Sequence, residues 1–399
     1  MEQIALLQQI FLWSALVYWA AGFLLLWRIP VPGEISEGEG GRSGVGDMSV
    51  VVPARNEAVN IGVLLDSIAA QRSRPLEVIV VDDQSSDGTA EIADGFSGEG
   101  VRVIAAGERP EGWTGKNWSC HRGAEEAAGR LILFLDADTR LEGPESLVRL
   151  GAEHARCGGM VSVQPYHRVR RLYEQLSGFF NLIAMVGSGA FDFWSRPGEA
   201  DGCFGPCILM DRAEYDAVGG HRAVGGQVVD DLALCALYRA KGLGVHCFGG
   251  RGLISFRMYP GGLRSLIEGW TKNMAMGASL SKLRSIVLLV IWFTGISNAA
   301  LVLTLWLRFS AGTSVAASVA ASAGASVGTG VLMVMVAYGI YVAQVFLQLR
   351  RVGSFSLLSA LLFPVEFLFF VAVFVLSIIR TRVFGSVSWK GRSIKINQE

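Results

Sequence analysis

The chain reads as an α/β protein: a mainly parallel, nucleotide-fold type sheet joined at both ends to apolar α-helical segments of membrane length. Three observations predict this. From residue 48 onward, short apolar runs alternate with helical patterns, and strand, helix, strand at that spacing gives parallel strands with right-handed crossovers. Two of those runs stop abruptly at paired acids, Asp82 with Asp83 and Asp136 with Asp138, at the strand ends where open α/β sheets hold their ligands. Hydrophobic residues make up 51% of the 399, mean hydropathy is +0.41, and the excess lies at the two ends. A formal net charge of +0 gives no electrostatic case for nucleic acid as a partner.

Taken in order, residues 4–27 carry no charge and are long enough to cross a bilayer. Without a basic start or a small-residue cleavage site, residues 1–28 are expected to stay as an anchor. Glu2 before the stretch and Arg28 after it place the next part of the chain in the cytosol. Residues 29–47, rich in Gly, Ser and Glu, are predicted as a flexible linker.

The soluble unit, 48–262, opens with a β-branched strand, a turn at Pro53, and a helix with Ile61, Leu64, Leu65 and Ile68 on one face. A second strand, 76–81, delivers Asp82 and Asp83 to the edge where nucleotides bind. Carboxylates there supply the acceptors that a base N–H and ribose hydroxyls need. Asp87 and Gly88 are expected to cap the next helix and turn the chain.

GWTGKNW, 112–118, has a Gly-Lys pair but not the spacing of a phosphate loop, which argues against a nucleoside triphosphatase. Lys116 is either a solvated lysine or a point charge on a diphosphate. In LILFLDADTRLE, 131–142, an apolar strand ends in Asp136 and Asp138, two apart and so on one face. That is either a solvated turn or a site for Mg²⁺ or Mn²⁺ shared with a substrate diphosphate, because hard cations take oxygen ligands. Residues 160–164 read as a further strand. The apolar, glycine-rich stretches FFNLIAMVGSGAF and CFGPCILM are too short to span and read as a lipid-facing cleft or as ordinary core. Asp230 and Asp231 open a helix, where its dipole favours acids; the competing reading makes one of them a general base. Six cysteines match no zinc signature and are expected as free thiols, although Cys203 and Cys207 are spaced for a disulfide.

Residues 263–283 place Leu263, Ile267, Trp270, Met274 and Ala278 on one stripe, with Arg264, Glu268 and Lys272 elsewhere, predicting an amphipathic helix on the membrane surface with Trp270 at headgroup depth. The C-terminal membrane region, 284–380, contains apolar stretches at 286–307, 331–348 and 355–379 around an Ala-rich tract, 309–330. Three crossings would put the tail outside, whereas Arg380, Arg382, Lys390, Arg392 and Lys395 argue for a basic cytosolic tail, 381–399. Either the Ala-rich tract also spans, or the last stretch turns back at Pro364, beside the acid Glu366.

In that order, VVPARNE, VVDDQSSDGT, GWTGKNW, LFLDADT, the paired Asp before a helix, and EGWTKN resemble the family-2 glycosyltransferases of GT-A fold, over residues 48–275. QPYH, CFGPC and ISFRMYPGG are similar to membrane-bound bacterial members that glycosylate lipids, the carotenoid-acid (4,4'-diaponeurosporenoate) group above all, with the hopanoid-associated group beside it. The resemblance implies that Pro53, Asn56, Glu57, Asp82 and Asp83 surround the nucleoside and that Lys116 lies near the diphosphate. It makes Asp136 and Asp138 the metal motif, and Asp231 of the Asp230–Asp231 pair the base. Trp270 matches the tryptophan of the Gln-x-x-Arg-Trp motif of processive synthases. The Gln and Arg positions are Leu266 and Gly269 here, which favours a single transfer. The implied reaction is inverting transfer of one sugar, glucose foremost, from a UDP-sugar to a lipid acceptor at the plasma membrane. Transfer to a polyprenyl phosphate, a transporter with a nucleotide-sensing domain, and a silent scaffold are the alternatives.

Overall fold

The computed structural model describes residues 2–33, 44–196, 199–277, 282–311, 327–384, 386–389 and 392–395. After one long helix, α1 (Glu2–Leu25), the strands and helices alternate as the apolar runs dictate: β1 (Met48–Ala54), α2 (Ile61–Ala69), β2 (Glu77–Asp82), α3 (Thr89–Asp94), β3 (Val101–Ala105), α4 (Gly115–Glu126) and β4 (Leu131–Leu135). Then come β5 (Thr139–Leu141), α5 (Ser146–Cys157), β6 (Met160–Gln164), β7 (Tyr166–His167), α6 (Gly178–Gly187), β8 (Cys207–Asp211), α7 (Arg212–Ala217), α8 (Gly220–Ala223), α9 (Asp230–Ala240), β9 (Val245–Gly249) and β10 (Ile254–Phe256). Seven strands form one sheet in the order β3-β2-β1-β4-β8-β6-β9. Its pairs are parallel except where β8 lies antiparallel between β4 and β6. The strands' apolar side chains are buried on both faces, as a sheet covered by helices requires. A small second sheet, β5-β10-β7, closes one side.

Several expectations are corrected here. Pro53 does not turn the chain: β1 continues through it to Ala54, with Pro53 opposite Val81. Cys207–Asp211, from a stretch read as cleft or as ordinary core, takes the core reading as the buried antiparallel central strand β8. The start of the expected linker is docked: Gly249 N–H donates to the Pro30 carbonyl at 2.8 Å, and Arg149 Nε donates to the Gly33 carbonyl at 3.0 Å. Residues 34–43 of that linker lie outside the described residues.

Beyond the sheet domain stand α10 (Leu263–Gly277), α11 (Leu283–Ala311), α12 (Val327–Val352), α13 (Leu357–Leu361), α14 (Phe363–Phe384) and a hairpin, β11 (Ser386–Trp389) with β12 (Arg392–Lys395). Residues 312–326 of the Ala-rich tract, 278–281 of the expected surface helix, and Lys390 and Gly391 of the tail lie outside the described residues. Among the described residues, Leu283–Leu301 and Phe363–Thr381 are long and apolar enough to cross a membrane. The helices of this region are tied back to earlier parts of the chain. Arg284 binds Asp192 through Nη2 at 2.8 Å, Arg351 Nη1 donates to the Leu26 carbonyl at 2.8 Å, and Ser354 N–H donates to the His167 carbonyl at 2.8 Å.

Helix α14 then runs along α6 and α10, with Phe370 edge-on to Phe180 at 5.0 Å and Ser377 Oγ donating to the Thr271 carbonyl at 2.8 Å. The β11 backbone beyond it packs against α10. This packing overturns the expected place of Trp270. Instead of facing lipid headgroups it is 2% exposed, stacked on Phe180 at 4.8 Å, with its indole N–H donating to Ser177 Oγ at 3.0 Å. A buried indole usually finds a partner for its N–H, and a stacked ring contributes beyond the area it buries.

Candidate active site

A cavity of 2020 Å³ opens at the C-terminal ends of β1 and β4. Its first wall is the loop after β1. Asn56 adopts a left-handed backbone, φ 51°, which short polar side chains tolerate, and its Oδ1 accepts from Ser86 N–H at 2.9 Å. Glu57 N–H donates to Thr89 Oγ1 at 2.8 Å, so this loop is tied to the one after β2. Asp83 N–H donates to the Ala54 carbonyl at 2.9 Å, and its carboxylate meets Arg55 Nη1 at 3.4 Å on the cavity wall. Pro53, Asn56, Glu57 and Asp83 all line the cavity. Asp82 does not: its Oδ2 accepts from Ser85 N–H at 3.1 Å and shapes the turn. Adjacent residues on an extended chain point to opposite sides, so only one of the pair can face the ligand. Asp87 accepts from Ala58 N–H at 3.0 Å and Thr89 N–H at 3.2 Å, close to the capping role expected of it.

The second wall is GWTGKNW. Thr114 Oγ1 caps α4 by accepting from Asn117 N–H at 3.2 Å. Buried Asn117 donates through Nδ2 to the carbonyls of Val224 and Gln227, both at 2.8 Å. These bonds fix the helix start, and Lys116 Nζ reaches Asp136 Oδ1 at 2.7 Å. Burial disfavours the Lys116 charge, but Asp136 and Asp230 outweigh it and hold the ammonium well above the ordinary lysine range. Asp136 and Asp138 sit just past β4 in a tight turn, with Asp136 N–H donating to the Pro206 carbonyl at 3.0 Å. Among the described residues no cluster of three or more His, Cys, Asp or Glu forms a complete metal cage. Two carboxylates side by side suit instead a hard cation whose remaining ligands come from a diphosphate and water.

The third wall is the start of α9. His221 Nε2 stands 3.7 Å from Asp230 Oδ2. Although burial opposes it, Lys116 and the His221 ring hold the Asp230 carboxyl down at about 2. Burial and the neighbouring Asp230 charge push Asp231 up to about 6, against the pull of Lys116. Two adjacent carboxyls are thereby separated into one fixed anion and one group poised to exchange a proton near neutrality. The loop before β8, CFGPC, touches this pair, a contact that sequence reasoning did not foresee. Cys203 Sγ donates to the Asp231 carbonyl at 3.0 Å, and a side chain on Gly205 would meet Asp231 Oδ2 at 3.0 Å and Lys116 Nζ at 3.4 Å. All six cysteines are free thiols.

The residues 49–224 match the family model described as glycosyl transferase family 2. The 4,4'-diaponeurosporenoate glycosyltransferase of Staphylococcus aureus is 33% identical over 355 residues, 88% of this chain and 89% of that protein. The chain belongs to glycosyltransferase family 2. Solved structures similar to this family-2 glycosyltransferase include a Pyrobaculum calidifontis mannosyltransferase in complex with GDP-Man and Mn²⁺, at 18% identity and TM-score 0.46, covering 91% of this chain and 97% of that one. Another is the glucosyl-3-phosphoglycerate synthase of Mycobacterium tuberculosis with Mn²⁺, UDP and glucosyl-3-phosphoglycerate, at 17% identity and TM-score 0.41, covering 64% and 90%.

Two features of the family-2 site escaped sequence reasoning. Lys272, placed by periodicity away from the apolar stripe of a surface helix, lines the cavity, where burial and the Lys116 charge lower its proton affinity. Gly269, standing where processive synthases carry arginine, lies under Tyr259: a Cβ there would come within 2.1 Å of the ring. Trp270 lines the same cavity, but its indole N–H is already given to Ser177.

Proposed function

We propose that this glycosyltransferase moves one sugar, glucose foremost, from a UDP-sugar to the polar end of a membrane lipid of the carotenoid-acid kind, with inversion at the anomeric carbon. One observation carries the reading. The cavity that holds Asp83, Lys116, Asp136, Asp138 and Asp231 continues, without a break, into an apolar end lined by Ile286, Leu289 and Phe293 of α11 and by Phe370, Val371 and Phe374 of α14. A soluble donor and a bilayer-borne acceptor therefore meet in one space. The name of the S. aureus relative supports the acceptor class.

In this reading Pro53, Asn56, Glu57 and Asp83 surround the nucleoside, and Asp82 shapes the loop that carries Asp83. Asp136 and Asp138 hold Mg²⁺ or Mn²⁺, which as a Lewis acid offsets charge on the departing diphosphate. Lys116 adds a fixed positive charge beside the same oxygens, and electrostatic help of this kind is worth a few kcal/mol. Asp231, ionised at neutral pH, takes the acceptor's proton. A carboxyl arriving from apolar surroundings holds its proton more tightly than one in water, so a base serves an acid acceptor as well as an alcohol. Tyr259 occupies the space above Gly269, in keeping with a single transfer. In this reading the sheet domain and the tail lie on the cytosolic side, which Arg28, Arg380 and Arg382 beside the apolar segments support.

The test incubates membranes containing the protein with labelled UDP-sugars and Mg²⁺ or Mn²⁺, and tracks label into the lipid fraction. Transfer that is lost with EDTA and in Asp138→Ala is the expected result. Transfer to no lipid from any donor, or equal transfer by Asp138→Ala, removes the reading.

A further inference from the structure

We infer that an anionic phospholipid docks where α1 stops and α11 starts: its phosphate sits on Arg28, and its glycerol and chains lie against Trp27, Phe193 and Trp194. The site shares no residue with the wall of the active-site cavity. It rests on the membrane reading above, and not on which donor or acceptor the enzyme takes.

The placement follows from how two helices pair. Gly22 of α1 backs onto the Trp292 ring of α11, and Gly295 of α11 backs onto Tyr18 of α1, so the two run antiparallel. In α11 the stretch long and apolar enough to cross a membrane begins at Leu283. Trp27, two residues past α1, and Arg284, at the start of α11, therefore stand at the same end of that stretch, where apolar chain gives way to water. The segment after α6 is sewn into this end. Trp27 N–H donates to the Phe191 carbonyl at 2.8 Å, and Phe193 N–H donates to the Leu24 carbonyl at 2.9 Å. Asp192 Oδ1 accepts from Trp194 N–H at 2.9 Å and Ser195 N–H at 2.8 Å, while Arg284 Nη2 donates to its Oδ2 at 2.8 Å.

This braced turn holds three large rings outward. Trp27, Phe193 and Trp194 are 43%, 48% and 53% exposed, and they meet edge-on, Trp27 to Phe193 at 5.1 Å and Phe193 to Trp194 at 5.4 Å. Tryptophan gathers at the headgroup level of a bilayer, where one side of the ring is apolar and the other wet. A cavity of 260 Å³ opens here, lined by Trp27, Arg28, Ala190, Asp192, Phe193 and Ser195. Its acid, Asp192, has a side chain only 3% exposed and is engaged by Arg284, so the charge offered to a ligand is that of exposed Arg28. A guanidinium matches the oxygen pair of a phosphate. A zwitterionic head would bring its own ammonium towards that cation, whereas a singly negative head carries nothing that opposes it. A free anion would use Arg28 but leave the rings in water; an amphiphile uses both.

The experiment places the full chain in vesicles of equal parts phosphatidylcholine and phosphatidylglycerol, with one or the other lipid carrying a photoreactive group near its glycerol, and maps the labelled peptides by mass spectrometry. In wild type, phosphatidylglycerol should label residues 27–28 and 190–195 in preference to phosphatidylcholine. Arg28→Gln should lower that label about fivefold, the share that one basic residue contributes at an anionic membrane surface, and leave the label on α14 unchanged. Arg28→Lys should keep most of it. Inorganic phosphate should not compete. Equal labelling by the two lipids, full labelling of a folded Arg28→Gln variant, or displacement by inorganic phosphate would overturn the site; if the Gln variant fails to fold, the lipid comparison and the phosphate competition on wild type decide it. Wild type that does not float with the vesicles would instead remove the membrane reading on which the site stands.

Discussion

Gly205→Ala probes the alignment of the proposed catalytic charges without replacing any of them. The added methyl would stand 3.0 Å from Asp231 Oδ2 and 3.4 Å from Lys116 Nζ, where ordinary contacts begin near 3.4 Å, so the carboxylate must retreat by about 0.4 Å. The Gly205 backbone is not in the left-handed region, so no dihedral strain is added. Displacement of a reacting group by 1 Å costs about a hundredfold in rate, and a shift of this size should lower kcat about fivefold to tenfold. The thermal midpoint should move by no more than about 3 °C, because a surface-accessible wall yields more easily than a core. Initial rates at saturating donor and acceptor, with thermal unfolding of the same preparation, measure both. Gly98→Ala, where a Cβ meets nothing within 4 Å, is the control. An unchanged kcat in folded Gly205→Ala would show that Asp231 and Lys116 do not work where they stand.

Two further outcomes are expected. On the proposed role of Asp231 as the base, with its carboxyl pushed up to about 6, kcat/KM should fall about tenfold per unit as pH drops below that value; Asp231→Asn should be about a hundredfold or more slower and lose this acid limb, as a pH–rate series would record. Glu174 is fully buried and accepts from Arg170 N–H at 2.6 Å, Arg171 N–H at 3.2 Å and Arg257 Nη2 at 2.6 Å, so Glu174→Ala, which strands Arg257, should cost about 3 kcal/mol by denaturant unfolding.

Much of this was legible in the chain because the relevant signals are local. An apolar strand that stops at an acid announces the edge of a sheet, and β2 and β4 each end where the pattern says. The same logic located Asp83, Asp136 and Asp138, the paired acids that open a helix pointed to Asp231, and all four line one cavity. The rest depends on long-range packing. Antiparallel β8 looks like any apolar run, and only its neighbours β4 and β6 decide its direction. Periodicity assigned the stripe of α10 to a bilayer, since a helix that packs on α6 and α14 has the same pattern as one that floats on lipid. The misplacement of Lys272 came from that error, because a helix face judged to be solvent cannot also be read as the wall of an active site. Asp82 and Asp83 are adjacent and chemically identical, and the tie from Asp83 N–H to Ala54 settles which one turns inward.

On the proposed reading, the apolar end of the cavity, lined by α11 and α14, also dictates how the enzyme would experience its substrates. A donor dissolved in three dimensions and an acceptor confined to two give separate kinetic coordinates. Diluting the acceptor with inert phospholipid should slow the reaction at fixed total acceptor, whereas adding buffer should not. Product released through the same apolar side would stay in the plane of the bilayer and compete there, so turnover should respond to the glycolipid's mole fraction in the membrane.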